Sequence, residues 1–315
     1  MAEAREATPE QAAFLQALVA AGLLLPSGVP GVFGRGATFE DVREAFDALV
    51  TRSAAADGAE RLRFPPVMPR RDLETIGYLK SFPHLAGTIF SFEGDERAAL
   101  EQLRLAERHE DWSGHQSLTD LVLSPAGCYP VYPAIAARGP LAPGGVVVDI
   151  GGAHVFRHEP SDDPARMQTF HMRELVRLGE PEAVAAWRDA WRDRAVELLR
   201  GVGLDARPDV ASDPFFGRTG QVLARSQRAQ QLKFEILAPV AGQPTAIASF
   251  NYHRDHFTGA YEIAMADGGA AHTACLGFGL ERVTLALLDA HGLDPATWPA
   301  DVRAALWPAA GVIHS

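Results

Sequence analysis

VVVDIGGAHVFRHEP (146–160), continued by SDDPARM (161–167) and QTFHMRELVRLG (168–179), is the stretch whose reading decides the fold. The run Val146–Val148 is β-branched, and TFHMRELV alternates in part between apolar and polar residues, so both flanks predict half-buried strands. The Ser, Asp and Pro residues of 161–164 are turn chemistry, and the whole predicts an antiparallel pair joined by a polar loop. From it project Arg157, Glu159, Arg166, Phe170 and Glu174. Arginines at both ends of a loop, with an aromatic just beyond, can grip an anionic planar ligand. A guanidinium forks onto a phosphate and a ring offers its face to a base. A solvated sheet edge is the other reading of the same hairpin.

A second stretch, GFGLERVTLALL (277–288), places Gly277 and Gly279 where a strand would hand over to a helix. Glycines there let a ligand or another backbone come close. Glu281 and Arg282 then open the apolar helical run Val283, Leu285, Ala286, Leu287. Alone, this is also what ordinary helix–sheet packing looks like. Taken together, FRHE, an aromatic-bearing return strand and GFGLER resemble the second and third signature motifs of class II aminoacyl-tRNA synthetases. Over roughly residues 60–295 the chain resembles the catalytic core of the zinc-dependent seryl type. It resembles more closely the truncated homologues called amino acid:[carrier protein] ligases. The resemblance implies an α+β fold, an antiparallel sheet flanked by helices. It places the catalytic domain at 61–315, after a short helical segment at 1–60.

The resemblance also implies roles. Arg157 and Arg282 become the catalytic pair, with Arg157 neutralising the α-phosphate of ATP and the attacking carboxylate. Glu159 would accept from the adenine amine, Phe170 would stack on the ring, and Arg166 and Arg282 would complete the ATP site. Many class II enzymes carry a magnesium-binding glutamate ahead of the serine equivalent to Ser249. Ala246 stands there instead, which leaves Glu235 as the candidate for the Mg2+ that accompanies ATP. Ser249 and Asn251, with Glu174, are expected at the amino-acid site.

The chain has two cysteines, Cys128 in SPAGCYPVYP (124–133) and Cys275 just before GFGLER. Each has the alternative reading of a small buried hydrophobe. Glu174 lies four residues past Phe170. Two thiolates and a carboxylate are plausible zinc ligands and leave a fourth position open. The resemblance implies that Cys128, Glu174 and Cys275 hold Zn2+, with the substrate amino group in the open position, and that the substrate is glycine or alanine. His253 and His256 lie in a stretch that reads as strand and turn, with no HExxH pattern, and are expected to shape the pocket or to be structural.

The bulk properties narrow the partners. Of 315 residues, 29 are Lys or Arg against 40 Asp or Glu, a formal charge of −11. That is a poor footprint for nucleic acid, whose affinity rests on phosphate neutralisation. Met1–Glu6 lacks a basic apolar leader, no apolar run reaches membrane-spanning length, and two cysteines make no disulfide framework. A soluble cytosolic protein is expected, with neither membrane nor tRNA as partner. Thr8-Pro9-Glu10 predicts a helix start, and AAFLQALVAAGLLL an amphipathic run to about Pro26 and Gly28. Thr38 and Asp41 predict a capping box for a second helix to about Arg52. Heptads are not sustained, so the tRNA-gripping arm of seryl synthetases is expected to be missing.

Residues 71–91 predict a helix and then a strand, which the resemblance places at the two-fold interface of a homodimer. Charged or amphipathic helices are expected over 95–109 and 182–203. A loop over 211–220 should precede a helix and strand over 221–235. Arg218, Arg225 and Arg228 form a local positive cluster. It is either a solvated face or, as the resemblance implies, a dock for an acidic carrier protein with a phosphopantetheine arm. Three functions are open: ATP-dependent charging of a carrier protein through an aminoacyl-adenylate, tRNA aminoacylation, and a non-catalytic regulatory paralogue. The missing arm and the negative charge favour the first.

Overall fold

The structure is a computed structural model and describes residues 6–308, without the side chains of 217–219. The chain opens with helix α1 (Pro9–Ala20), a ribbon of β1 (Leu24–Pro26) and β2 (Phe33–Arg35), and helix α2 (Ala37–Ser53). Strands β3 (Glu60–Arg61) and β4 (Val67–Pro69) lead into short helices α3 (Arg70–Thr75) and α4 (Tyr78–Ser81). Strand β5 (Thr88–Phe92), helix α5 (Glu96–Glu107), strand β6 (Gln116–Leu123) and helix α6 (Val131–Ala136) follow. Then come β7 (Val146–Phe156), β8 (Thr169–Gly179), α7 (Pro181–Gly201), β9 (Arg207–Val210) and α8 (Gly217–Ala229). The chain continues through β10 (Lys233–Val240), β11 (Gln243–Arg254), α9 (His256–Ala260), β12 (His272–Gly279), α10 (Leu280–His291) and α11 (Ala300–Leu306).

The 146–179 stretch forms the antiparallel hairpin its sequence predicts, running from Val146 opposite Leu178 to Phe156 opposite Thr169. It lies in a seven-stranded sheet of order β3-β7-β8-β12-β11-β10-β9. Its pairings are antiparallel except for the two-residue β3 beside β7. A smaller sheet, β4-β6-β5, stands apart. Period-two alternation divides the large sheet into two faces. On one, Leu175, Ile236, Phe250, Leu276 and Phe278 pack with Phe46 of α2, Trp191 of α7 and Leu285 of α10. Each fully buried ring or aliphatic side chain there contributes about 1.5–3 kcal/mol relative to exposure. On the other face, Ile150, Val176 and Cys275 join Met68, Tyr78, Cys128 and Tyr132 in a second core. The candidate site occupies this second face.

One local expectation holds and three need adjustment. The Thr8 capping box is present, with Thr8 Oγ1 accepting from Gln11 N at 3.3 Å and Thr8 N donating to Gln11 Oε1 at 2.8 Å. The Thr38/Asp41 box is not, since α2 starts at Ala37 with Gly36 as cap. The Gly36 N–H donates to Leu23 O at 3.0 Å, and that tie to the residue before β1 fixes the helix entrance two residues early. The single helix expected within 71–91 is broken at Gly77, which lies at φ +69° and separates α3 from α4. Helix α8 begins at Gly217, inside the segment expected to be loop. Among the described residues no helix is long and apolar enough to cross a membrane.

Candidate active site

The strand registers place the site residues in two adjacent rows across one face. Glu174 of β8 is opposite Gly277 of β12, Gly277 is opposite Ser249 of β11, and Ser249 is opposite Glu235 of β10. In the next row Val176 is opposite Cys275, Cys275 is opposite Asn251, and Asn251 is opposite Lys233. Gly277 is the floor between them. A Cβ there would lie 2.6 Å from Met172 Cε, 3.4 Å from Glu174 Cγ and 3.9 Å from Ser249 Oγ, so any larger residue would fill the space the rows enclose.

Cys128 reaches this face from the loop between β6 and α6. One donor atom each from Cys128, Glu174 and Cys275 lies within 4.8 Å of the others, and all three residues are buried. Zinc with thiolate and carboxylate ligands needs donors roughly 3.3–3.8 Å apart in a tetrahedron, so this set fits with a small contraction. The Glu174 carboxylate is oriented by backbone donors, Gly127 N at 2.7 Å to Oε1 and Cys128 N at 3.0 Å to Oε2. Burial, then the charge of Cys275, pushes its pKa up to about 7. The hydrogen bond from the Cys128 thiol holds Cys275 well below the usual thiol range, with His253 and Asn251 adding to it against burial. Cys128 is correspondingly pushed well up, by that hydrogen bond, by burial and by the Glu174 charge. The pair thus shares one proton, a donor set ready to exchange it for a cation.

The residues expected from sequence to bind ATP also approach one another. Arg157 follows β7, its N–H donating to Gln168 O at 2.8 Å and its Nε to Pro125 O at 3.1 Å, in the loop that carries Cys128. Its guanidinium lies 5.4 Å from the centroid of Phe170. Arg282, in the first turn of α10, donates from Nε to Ala165 O at 2.7 Å and from Nη1 to Ala246 O at 3.0 Å. Burial lowers its pKa, Arg166 and Arg157 lower it further, and Glu159 and Glu235 oppose them. These five charges therefore act on one another in one place. Pro164, Ala165, Met167, Phe170, Glu281 and Arg282 line a narrow crevice there. Arg166 Nε stands 3.7 Å from Asp163 Oδ2. The Glu235 carboxylate is 3.1 Å from Lys233 Nζ, which also donates to Asp213 Oδ1 at 2.6 Å.

Among the side chains around the metal set, Asn251 was expected at the amino-acid site and His253 to shape the pocket or be structural, whereas Tyr132 was not singled out from sequence. His253 Nε2 lies 3.5 Å from Cys275 Sγ, and its Nδ1 lies 3.0 Å from Thr273 Oγ1. The β11–β12 register shifts between Tyr252 and Arg254, and His253 occupies that bulge. Asn251 Nδ2 also donates to Cys275 Sγ, at 3.6 Å. Tyr132 is buried and stacked on Phe257 at 4.1 Å, and its hydroxyl has no hydrogen-bond partner among the described residues. The aromatic spacing Tyr129, Tyr132 was visible, but nothing in it marks a site wall. Arg225 and Arg228 are exposed on α8 beside Val222 and Leu223, whereas the Arg218 side chain falls outside the described residues.

An antiparallel sheet with a motif-bearing hairpin, a central Gly-rich strand running into a helix, and this arginine pair define a class II aminoacyl-tRNA synthetase-like catalytic domain. The fold is matched by a solved structure of M. kandleri SerRS in complex with A. aeolicus tRNASec. It has a TM-score of 0.79 at 19% identity, over 93% of this chain and 60% of that one. No family model matches the chain. The amino acid–[acyl-carrier-protein] ligases 1 and 2 of Bradyrhizobium diazoefficiens are 49% and 47% identical over 278 residues. These alignments span 88% of this chain and 85% and 83% of the two relatives. The chain belongs to the amino acid–[acyl-carrier-protein] ligase family.

Proposed function

We propose that the protein activates glycine or alanine with ATP and transfers the aminoacyl group to the phosphopantetheine thiol of an acidic carrier protein. The observation that carries this reading is the convergence of Cys128, Glu174 and Cys275 on the sheet face that also bears Ser249 and Asn251, near the charges of Arg157 and Arg282. In the first half-reaction the substrate carboxylate attacks the α-phosphorus and pyrophosphate leaves. Placement and charge stabilisation carry most of such a step. Arg157 neutralises both the attacking and the attacked oxygens. Phe170 and Arg282 hold the adenine ring between them, Glu159 accepts from its amine, and Arg166 faces the terminal phosphates. Glu235 offers a carboxylate towards the Mg2+ brought with ATP. Cys128, Glu174 and Cys275 would hold zinc, which when bound supplies a Lewis-acid position for a neutral amine. Asn251 and Ser249 orient the bound amino acid, and Gly277 leaves room only for a small side chain. In the second half-reaction the carrier thiol attacks the adenylate carbonyl, a thioester forms and AMP leaves.

The reading includes a homodimer, docking of the carrier near Arg225 and Arg228, and a cytosolic setting in which both thiols stay reduced. The test is amino-acid-dependent ATP–pyrophosphate exchange across all twenty amino acids, with and without a zinc chelator, followed by transfer to a phosphopantetheinylated carrier. Exchange confined to one or two small amino acids, lost on chelation and followed by thioester formation, supports it. No exchange from zinc-loaded protein sinks it, and transfer to tRNA instead of the carrier sinks the second half.

A further inference from the structure

We infer that the β1–β2 ribbon near the N-terminus is a working part of the ATP site, with Arg35 as a positioning residue for Arg282. The inference rests on reading Arg166 and Arg282 as ATP-binding groups. Arg35 ends β2, and its Nη1 lies 3.3 Å from Oε1 of Glu281, the residue before Arg282. Glu281 is 2% exposed. Its Oε2 accepts from His171 N at 2.7 Å, and its Oε1 accepts from His171 Nδ1 at 2.6 Å. A carboxylate accepts only, so Nδ1 carries a proton, and Nε2 of the same ring lies 2.8 Å from His154 Nε2. Arg35 is the one arginine or lysine paired with this buried carboxylate among the described residues. Arg35 is itself held by Glu40, which Arg43 also binds.

The loop between β1 and β2 reaches the other half of the site. Gly31 O accepts from Gln168 N at 2.7 Å, and Pro30 O accepts from Gln168 Nε2 at 2.9 Å. Gln168 O in turn accepts from Arg157 N at 2.8 Å. Gly31 lies at φ +74°, and a Cβ on it would stand 3.1 Å from Arg166 O and 3.2 Å from Gln168 Cγ. One ribbon thus touches the loop that carries Arg166 and the carboxylate that anchors the first turn of α10. Those two pieces must hold ATP between them, and the ribbon fixes their separation.

Arg35→Ala in the full chain is expected to raise the KM for ATP and lower the exchange kcat, by roughly ten- to a hundredfold in combination. The KM for the amino acid and the bound-zinc content should stay at wild-type values. Arg35→Lys should recover part of the loss. Gly31→Ala, which presses on the Arg166 loop, should move the same ATP parameters. Wild-type ATP parameters in folded Arg35→Ala would overturn the inference, as would an equal fall in zinc content and amino-acid binding. If Arg35→Ala does not fold, Arg35→Lys and Gly31→Ala carry the test by the same criteria. Arg282→Ala is the control: if it keeps wild-type exchange, the ATP-site reading fails. If it abolishes exchange while the ribbon variants do not disturb it, only the ribbon's role fails.

Discussion

At Cys275 three donors meet one sulfur: the Cys128 thiol, His253 Nε2 at 3.5 Å and Asn251 Nδ2 at 3.6 Å. A thiolate held this way in a buried site needs positive charge nearby, and a bound cation supplies it more fully than hydrogen bonds do. Cys275→Ala is therefore expected to lose zinc and to bring amino-acid-dependent exchange down to background, while circular dichroism remains that of the wild type. A full zinc complement in that variant, measured by mass spectrometry, would refute the ligand assignment. Cys128, Glu174 and Cys275 could be singled out from sequence because the chain has only two cysteines and both sit beside recognisable motifs. His253 could not be placed the same way. Its approach to Cys275 depends on a bulge after Tyr252, and one extra residue in a strand changes which side chain faces the pocket.

The loop from Ala211 to Phe216 roots helix α8 and is itself pinned by one ion pair. Asp213 N donates to Gln227 Oε1 at 2.7 Å, and its carboxylate accepts from Lys233 Nζ at 2.6 Å. Burial works against the charge on Asp213, but Lys233 and Gln227 outweigh it and hold the carboxyl below the usual aspartate range. Burial also works against Lys233, yet Asp213 and Glu235 hold it above the usual lysine range. The Asp213 contribution to stability is present above its unfolded pKa and is lost as pH falls through the lower folded value. The Lys233 contribution is present below its unfolded pKa and is lost as pH rises through the higher folded value. Lys233→Met leaves the Asp213 carboxylate with only Gln227 Nε2 at 2.8 Å and the charge of Arg157 against burial, so its folded pKa rises relative to the wild type. That variant is expected to lose about 2 kcal/mol at pH 7, less than a fully buried pair would, because Asp213 is partly open to water. Chemical denaturation should show the gap between variant and wild type narrowing on acidification towards pH 3, because the wild type then loses an Asp213 contribution that the variant already largely lacks.

On α8 itself, Arg225→Glu with Arg228→Glu is expected to raise the KM for the carrier roughly tenfold and to leave exchange untouched. A matching fall in exchange would mean that α8 serves adenylation instead. The helix was legible as a helix, but its start was not. Gly217 and Gly220 sit in the first turn, and glycine carries little signal of its own for the state it will take. The same holds for Gly77, where one residue in the left-handed region divides a helical pattern that reads as continuous.

On the scale of the molecule, the three-stranded sheet and α5 carry an apolar surface that the described chain leaves open. Phe90 is opposite Leu118 on β5 and β6, and they are 55% and 41% exposed. Helix α5 buries none of its residues and leaves Leu100 and Leu103 exposed above a groove lined by Phe92 and Ala99. Exposed apolar surface of this kind is what the proposed interface with a second copy would cover. Phe90→Asp is expected to shift the sedimentation coefficient from dimer to monomer at micromolar concentration. An unchanged dimer would move the interface to another face. The class of fold was readable because signature stretches and strand patterns are local. The packing of the ribbon against the ATP site was not, since nothing at Arg35 marks a partner that lies near residue 281.

Strand β12 lies between β8 and β11, yet the chain reaches it after both. Until residues 272–279 are made, the β7–β8 and β10–β11 hairpins are two separate halves with a gap in place of their shared centre. Cys275, Gly277 and, directly after them, Arg282 arrive together in that last insertion. A nascent chain emerging from the ribosome would therefore carry Cys128, Arg157 and Glu174 through about a hundred further residues of synthesis without a site to put them in. Catalytic competence begins as a single late event, when the middle of the sheet is filled.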